Sequence, residues 1–145
     1  MPSGSILQLV YVSSASRGFR GGDLADVLRA SRRNNPAAGV TGALLHADGN
    51  FMQVLEGPPE AVEAVYARVE QDPRHSGVLV LLRRLVDRRT FGEWAMGLLR
   101  ESDVPEADRA AVRSLHSFTP DSPDRVRRLL ATFGRTASGG ARRAA

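Results

Sequence analysis

The sequence predicts one α+β domain, in which a mixed sheet of five strands carries two helices on one face and is followed by C-terminal helices. Two observations predict this class. Segments with alternating apolar residues and segments with helical spacing follow each other in the order βαββαββ over residues 1–100. The chain has 145 residues, of which 42% are hydrophobic, which suffices for one core but not for an additional catalytic domain.

The first strand and the first helix differ in their periodicity. Residues Ile6 to Ser13 alternate and are rich in Leu, Val and Tyr, as is typical of a strand. A Gly-rich loop, Ser16 to Gly22, leads to Asp23, which is a candidate N-cap. The helical spacing that follows is carried by Leu24, Val27, Leu28 and Ser31. This helix is expected to end at Asn34, Asn35 and Pro36.

A β-hairpin and a second helix follow. The strands are expected at Gly39 to His46 and at Asn50 to Leu55, joined by a turn at Ala47, Asp48 and Gly49. Proline and acid at Pro58, Pro59 and Glu60 mark the start of the second helix. The apolar face of this helix is formed by Val62, Val65, Tyr66 and Val69.

The remaining chain supplies two strands, two short helices and a tail. The strands are expected at Val78 to Leu85 and Trp94 to Leu99, and the helices at Pro105 to His116 and Pro123 to Phe133. Residues 101–134 would then form a helical extension to the first 100 residues. The last stretch, residues 135–145, is rich in Gly, Ala and Ser and is expected to be disordered.

Connection rules assemble these elements into a ferredoxin-like fold. A crossover helix joins parallel strands and keeps a fixed hand, so both helices are expected on the same side of the sheet. The first and third strands are expected to be adjacent and parallel at its centre, with a hairpin strand beside them. The rules leave the position of the fifth strand open.

Composition excludes several functional classes. There is no Cys, which removes disulfides, thiolate metal sites and a cysteine nucleophile, and the 3 His are too scattered for a metal cluster. No apolar run is long enough to cross a bilayer, and no secretory signal is visible, so a cytoplasmic location is expected. All 20 basic residues are Arg, against 16 acidic residues, and three of the Arg lie in the tail. A nucleic-acid partner is therefore not expected.

Polar residues interrupt the predicted inward face of the first helix. The face becomes polar at Ser31 and continues into Asn34 and Asn35. An unpaired buried amide costs about 1–3 kcal/mol, so these side chains need partners. Either Asn35 caps the helix C terminus, or the amides bind a planar heterocycle with adjacent carbonyl and N–H groups.

A second polar residue lies on the third strand. Phe51, Gln53 and Leu55 share one face of that strand, which makes Gln53 a candidate buried amide. If the first strand is its neighbour, the hydroxyl of Tyr11 can reach Gln53. For this pair alone, a structural hydrogen bond is a simpler interpretation than a functional one.

Six segments, in order, resemble the BLUF family of blue-light sensors using FAD. They are Leu9–Ser13, Ser31–Pro36, Gly39–Leu44, Gly49–Gly57, Asp72–His75 and Trp94–Gly97. The resemblance spans about residues 6–100. It implies a ferredoxin-like fold with FAD held noncovalently between the two helices.

The resemblance also implies residue roles. Tyr11 is similar to the redox-active tyrosine of the family and Gln53 to its switching glutamine, while Trp94 and Met96 would pass the signal outward from the last strand. The direction in which Trp94 points stays open. The cofactor contacts that the resemblance implies are Tyr11, Val27, Ser31, Asn34, Asn35, Gln53, Arg68 and Val69.

What the resemblance implies is a photoswitch and not an enzyme. Light would drive proton-coupled electron transfer from Tyr11 through Gln53, and Gln53 would return rotated or as its imide tautomer. The signal would leave through the last strand and the C-terminal helices toward a separate, unidentified signalling protein. The chain is expected to be a short stand-alone sensor.

The apolar stripes of the C-terminal helices have two interpretations. They can cap the open face of the sheet or form a subunit contact, and a homo-oligomer, at least a dimer, is expected. Two rival functions use the same fold. An RNA-binding module needs exposed aromatics with a basic rim on the sheet, and an acylphosphatase-like enzyme needs a phosphate loop with catalytic Arg and Asn. The sequence supports neither.

Overall fold

A computed structural model describes residues 5–15, 29, 33–47, 49–72, 75–92, 96–118, 120 and 123–138. The predicted Gly-rich loop, the predicted N-cap Asp23 and most of the predicted first helix lie outside these residues. No helix within the described ranges is long and apolar enough to cross a membrane.

Five strands form one sheet in the order β4-β1-β3-β2-β5. Each strand was expected from the sequence, and most are longer than the apolar pattern indicated. Their bounds are β1 Ile6–Ala15, β2 Thr41–Ala47, β3 Asn50–Gly57, β4 His75–Val86 and β5 Gly97–Leu99. The last strand is shorter than predicted, so Met96 lies directly before it, and Trp94 lies outside the described residues.

The central pair of strands is adjacent, as expected, but the prediction that it is parallel is wrong. β1 and β3 are antiparallel, with Tyr11 opposite Gln53. The hairpin makes β3 antiparallel to β2, and the crossover from β1 makes β1 run in the direction of β2. Because β3 lies between them, it must be antiparallel to both. β5 pairs in parallel with β2 at the far edge, which settles the position that the sequence left open.

Four helices accompany the sheet. They are α1, helical over residues 33–38, α2 Pro59–Glu70, α3 Arg109–Arg113 and α4 Pro123–Ser138. Short 3-10 turns precede and follow α3, where the sequence predicted a single helix. α4 continues four residues past Gly134, so the predicted tail begins too early.

α1 also ends later than predicted. Pro36 lies within it, and the chain turns at Gly39, whose φ is 74°. The N–H of Gly39 donates to the carbonyl of Pro36 at 3.1 Å, and that of Val40 donates to the carbonyl of Asn35 at 2.9 Å. This pair of bonds is a Schellman cap, which needs a residue at positive φ and therefore favours glycine.

The sheet is covered on both faces, and each face has its own core. On one face, α2 packs Val62, Val65 and Tyr66 against strand residues such as Leu9 and Leu55. The opposite face packs against the C-terminal segment through Val112, Leu115, Phe118, Val126, Leu129, Leu130 and Phe133. Of the two interpretations of the C-terminal stripes, the cap on the sheet is the one observed.

Candidate functional site

Tyr11 and Gln53 form a buried hydrogen-bonded pair at the centre of the sheet. They lie opposite each other on β1 and β3 and are 3% and 4% exposed. The Tyr11 hydroxyl donates to Oε1 of Gln53. Both side chains point to the α2 face because residue alternation places them with Leu9, Phe51 and Leu55. This is the contact that the alternation predicted.

The other end of the Gln53 amide meets a sulfur atom. Nε2 of Gln53 donates to Sδ of Met96 at 3.2 Å, and Met96 is completely buried. A thioether is a weak acceptor. The amide is therefore held firmly at its oxygen and weakly at its nitrogen, and a stronger acceptor nearby would compete for that N–H.

Tyr11 remains a neutral phenol at ordinary pH. Burial raises the pKa of its hydroxyl well above the usual value, and the nearby Tyr66 and Asp72 raise it further. The rings of Tyr11 and Tyr66 lie 5.8 Å apart. Tyr66 bonds elsewhere, since its hydroxyl donates to Glu70 at 3.2 Å. Of the two tyrosines, Tyr11 is thus the one whose hydroxyl proton is hydrogen-bonded to Gln53.

Asn35 is the unexplained polar group of the α2 face. It is 3% exposed, and its Nδ2 has no hydrogen-bond partner among the described residues. The interpretation of this side chain as the helix cap is wrong, because Gly39 and Val40 complete the cap through backbone groups. A buried amide without a partner is costly. Among the described residues no acceptor pairs with this N–H, and a bound ligand with a carbonyl would complete it.

The expected neighbour Asn34 is exposed rather than inward. Consecutive helical residues are about 100° apart around the axis, and of these two side chains only Asn35 lies on the buried side of α1. Arg68 is exposed in the last turn of α2, and Val69 is half-buried against the α2-face core. The remaining predicted contacts, Val27 and Ser31, lie outside the described residues, as does Trp94.

Glu56 is a polar residue of the opposite face whose burial the sequence analysis missed. It is completely buried, and its carboxylate accepts from Nε2 of Gln8 at 2.7 Å and from the backbone N–H groups of Thr90 and Phe91 at 2.9 and 2.8 Å. Nε of Arg84 donates to the Gln8 oxygen at 2.8 Å. The available signal in the sequence was an acidic residue, Glu56, directly after the largely apolar run Phe51–Leu55.

His46 adds a titratable group to the α2 face. It lies opposite Phe51 on β2, and the two rings stack with centroids 4.7 Å apart. Burial lowers the pKa of the imidazole below its usual value. The ring is therefore neutral at neutral pH, which is compatible with an apolar binding face.

Comparison with known proteins gives a consistent assignment. The family described as sensors of blue light using FAD matches residues 6–97. Photoactivated adenylate cyclase subunit beta of Euglena gracilis is 38% identical over 93 residues, which are 63% of this chain but only 11% of that protein. This chain thus spans about a tenth of the length of the curated relatives.

Solved structures extend the comparison to the whole fold. The dark-state structure of BlrB, a BLUF protein, has a TM-score of 0.77 and 27% identity, covering 93% of this chain and 99% of that one. Klebsiella pneumoniae BlrP1 with FMN and cyclic diGMP has a TM-score of 0.68 and 34% identity, covering 93% of this chain but 35% of that protein. The likeness therefore includes the C-terminal helices in addition to the sheet.

Proposed function

Because this chain belongs to the BLUF family, whose members sense blue light with FAD, we propose that it is a photoreceptor switched by the Tyr11–Gln53 pair. The observation that carries the proposal is the buried chain Tyr11–Gln53–Met96. It places a neutral phenol, a reorientable amide and a weak acceptor in series. An enzyme active site is not required for this function, since no substrate is turned over.

The residues fit a flavin. The orphaned Nδ2 of Asn35 needs a buried acceptor, and a carboxamide matches a heterocycle that presents a carbonyl beside an N–H. We propose that Asn35 and Gln53 hold the polar edge of the ring, with Val69 against its face. The exposed Asn34 and Arg68 would contact the periphery or the phosphates. Val27 and Ser31 are proposed from the resemblance alone.

Within this site, the chain's own groups perform the switch. A flavin bound there would supply an oxidant when excited by blue light. Tyr11 holds a proton at Oη and is hydrogen-bonded to Oε1 of Gln53, so a proton that leaves the phenol moves toward that amide. The Gln53 amide can then adopt two hydrogen-bonding arrangements, because the hydrogen bond from its N–H to the Met96 sulfur is easily replaced. Burial excludes water from both groups.

The output is proposed to follow Met96 into β5 and on to the C-terminal helices, with a separate protein as recipient. Among relatives, BLUF domains occur in photoactivated adenylate cyclases, so the recipient there is part of the same chain. A homo-oligomer remains a prediction. The apolar stripe of α4 no longer supports it, because that stripe is buried on its own sheet. Sedimentation at micromolar concentration tests it directly.

A spectroscopic experiment tests the function. The purified protein, reconstituted with FAD, should show a flavin band that moves to the red under blue light and recovers in the dark. Tyr11→Phe and Gln53→Ala should both retain FAD and lose this reversible shift. Tyr66→Phe is the matched control, because it removes the neighbouring phenol that bonds Glu70 and leaves Gln53 untouched. A normal shift in Tyr11→Phe or Gln53→Ala contradicts the proposal.

A further inference from the structure

In the loop between β4 and β5 the structure describes residues 87–92 and 96, and Glu56 ties Thr90 and Phe91 to the sheet. The backbone N–H of Phe91 donates to Oε1 of Glu56 at 2.8 Å, and that of Thr90 donates to Oε2 at 2.9 Å. Nε2 of Gln8 also donates to Oε2 of Glu56, at 2.7 Å. A carboxylate is required here, because it alone offers two acceptor oxygens and no donor.

The same loop touches α4. A Cβ at Gly134 would lie 2.7 Å from Cγ2 of Thr90, a distance too short for any side chain without movement. Phe91 is 1% exposed and belongs to the same apolar cluster as Phe133 of α4. The loop therefore lies between the buried carboxylate of β3 and the C-terminal half of α4.

The end of this loop reaches the switch. Met96, its last residue before β5, accepts the N–H of Gln53. Glu56 and Gln53 are three residues apart on β3 and point to opposite faces of the sheet. The described residues of this loop thus contact the switching amide at Met96 and lie beside α4 at Thr90, and Glu56 accepts the backbone N–H groups of Thr90 and Phe91.

We propose that Glu56 is a positioning residue of the photoswitch, which fixes the β4–β5 loop so that a change at Gln53 and Met96 is transmitted to α4 through the contact of Thr90 with Gly134. This inference rests on the proposed function. It assigns Glu56 no contact with the flavin. Its role is to hold Thr90 and Phe91 in position, since a loop released from the carboxylate could follow Met96 without displacing α4.

The test compares hydrogen–deuterium exchange of peptides from α4 in the dark and under blue light, using the FAD-loaded full chain. Wild type should show a light-dependent difference over residues 123–138. In Glu56→Gln, an amide nitrogen must face the N–H of Thr90 or of Phe91, so at least one bond to the loop is lost. This variant should retain the reversible red shift of the flavin and lose the difference at α4.

A second pair of variants tests the contact itself. Gly134→Ala adds a Cβ against Thr90 and should reduce the light-dependent difference at α4, while Gly134→Ala combined with Thr90→Ser removes the opposing methyl and should restore it. The backbone bond of residue 90 to Glu56 is kept in both. This pair remains informative if Glu56→Gln does not fold.

Thr132→Val is the matched control, because it removes a buried hydroxyl of α4 that donates to Asp108 at 3.2 Å and leaves Glu56 and its donors in place. It should behave as wild type. Two results would overturn this inference and leave the proposed function intact. One is a light-dependent change in exchange at α4 in Glu56→Gln that is as large as in wild type. The other is a wild-type protein that shows the red shift but no light-dependent change in exchange at α4. Absence of the red shift in wild type contradicts the proposed function instead.

Discussion

One face of the sheet is covered by the C-terminal segment and is called the C-terminal face. On it, the Glu56 carboxylate accepts three hydrogen bonds and is completely buried. On the α2 face, the equally buried amide of Asn35 leaves its Nδ2 without a partner among the described residues. The two faces belong to one sheet and have similar apolar cores. They differ in whether the described residues satisfy these two buried polar groups.

This difference indicates that the two faces of the sheet have different roles. A satisfied buried network adds rigidity and specifies one arrangement. An unsatisfied buried group is tolerated where a ligand completes it. The face covered by the C-terminal segment is therefore complete within the described residues, whereas under the proposed function the cofactor would complete the α2 face. The variants below test this contrast.

Glu56→Leu should give the largest loss of stability. It leaves the N–H groups of Thr90 and Phe91 and the amide of Gln8 without their acceptor, and we expect the free energy of unfolding to fall by about 3 kcal/mol or more. Denaturant unfolding with and without FAD measures this. A loss below about 1 kcal/mol would show that the C-terminal face does not depend on the network.

Alkaline pH should destabilise the α2 face through Tyr11. Its pKa is raised by burial, so the phenol stays neutral in the folded state and ionises on unfolding above about pH 10. The contribution of Tyr11 to stability should be constant below that pH and should fall above it by up to about 1.4 kcal/mol per pH unit. Unfolding titrations from pH 9 to 11 measure the slope, and Tyr11→Phe should reduce it; Tyr66, whose pKa burial also raises, contributes the remainder. An unchanged slope in that variant would assign the effect elsewhere.

Asn35→Leu should separate stability from cofactor binding. The substitution removes a buried amide that has no partner, so the apoprotein should gain about 1 kcal/mol. The affinity for FAD should fall about tenfold or more, which corresponds to about 1.4 kcal/mol. Asn34→Leu, at the exposed neighbouring position, is the control for stability alone and should change the free energy of unfolding by less than about 0.5 kcal/mol. A stability loss in Asn35→Leu would mean that the amide has a structural partner.

His46 should give the smallest effect. Burial lowers the pKa of its imidazole, so the unfolded chain takes up a proton at higher pH than the folded one. The contribution to stability is present above about pH 6.5 and is lost as the pH falls below it. Water screens the partly exposed ring and keeps the effect small. An NMR titration in which His46 protonates above pH 6.5 would contradict this.

Much of the site could be predicted from local pattern. Alternation along β1 and β3 puts Tyr11 and Gln53 on one face, and this needs only the period of a strand. The helical face of α2 follows in the same way from its spacing. The expectation that Asn34 faces inward was wrong because helical spacing admits both positions 34 and 35 at the end of the stripe, and only packing selects between them. One helical step separates an exposed amide from a buried one.

The sequence by itself determined the order of the elements, the faces of the strands and the family resemblance, because each depends on residues close together in the chain. Only the tertiary structure decided the position of β5, the cover of the second face by α4 and the network at Glu56. These depend on pairings between distant residues, such as Gln8 with Glu56, 48 positions apart, and Arg84 with Gln8, 76 apart. Such partners are chosen by sheet register, which local periodicity does not specify.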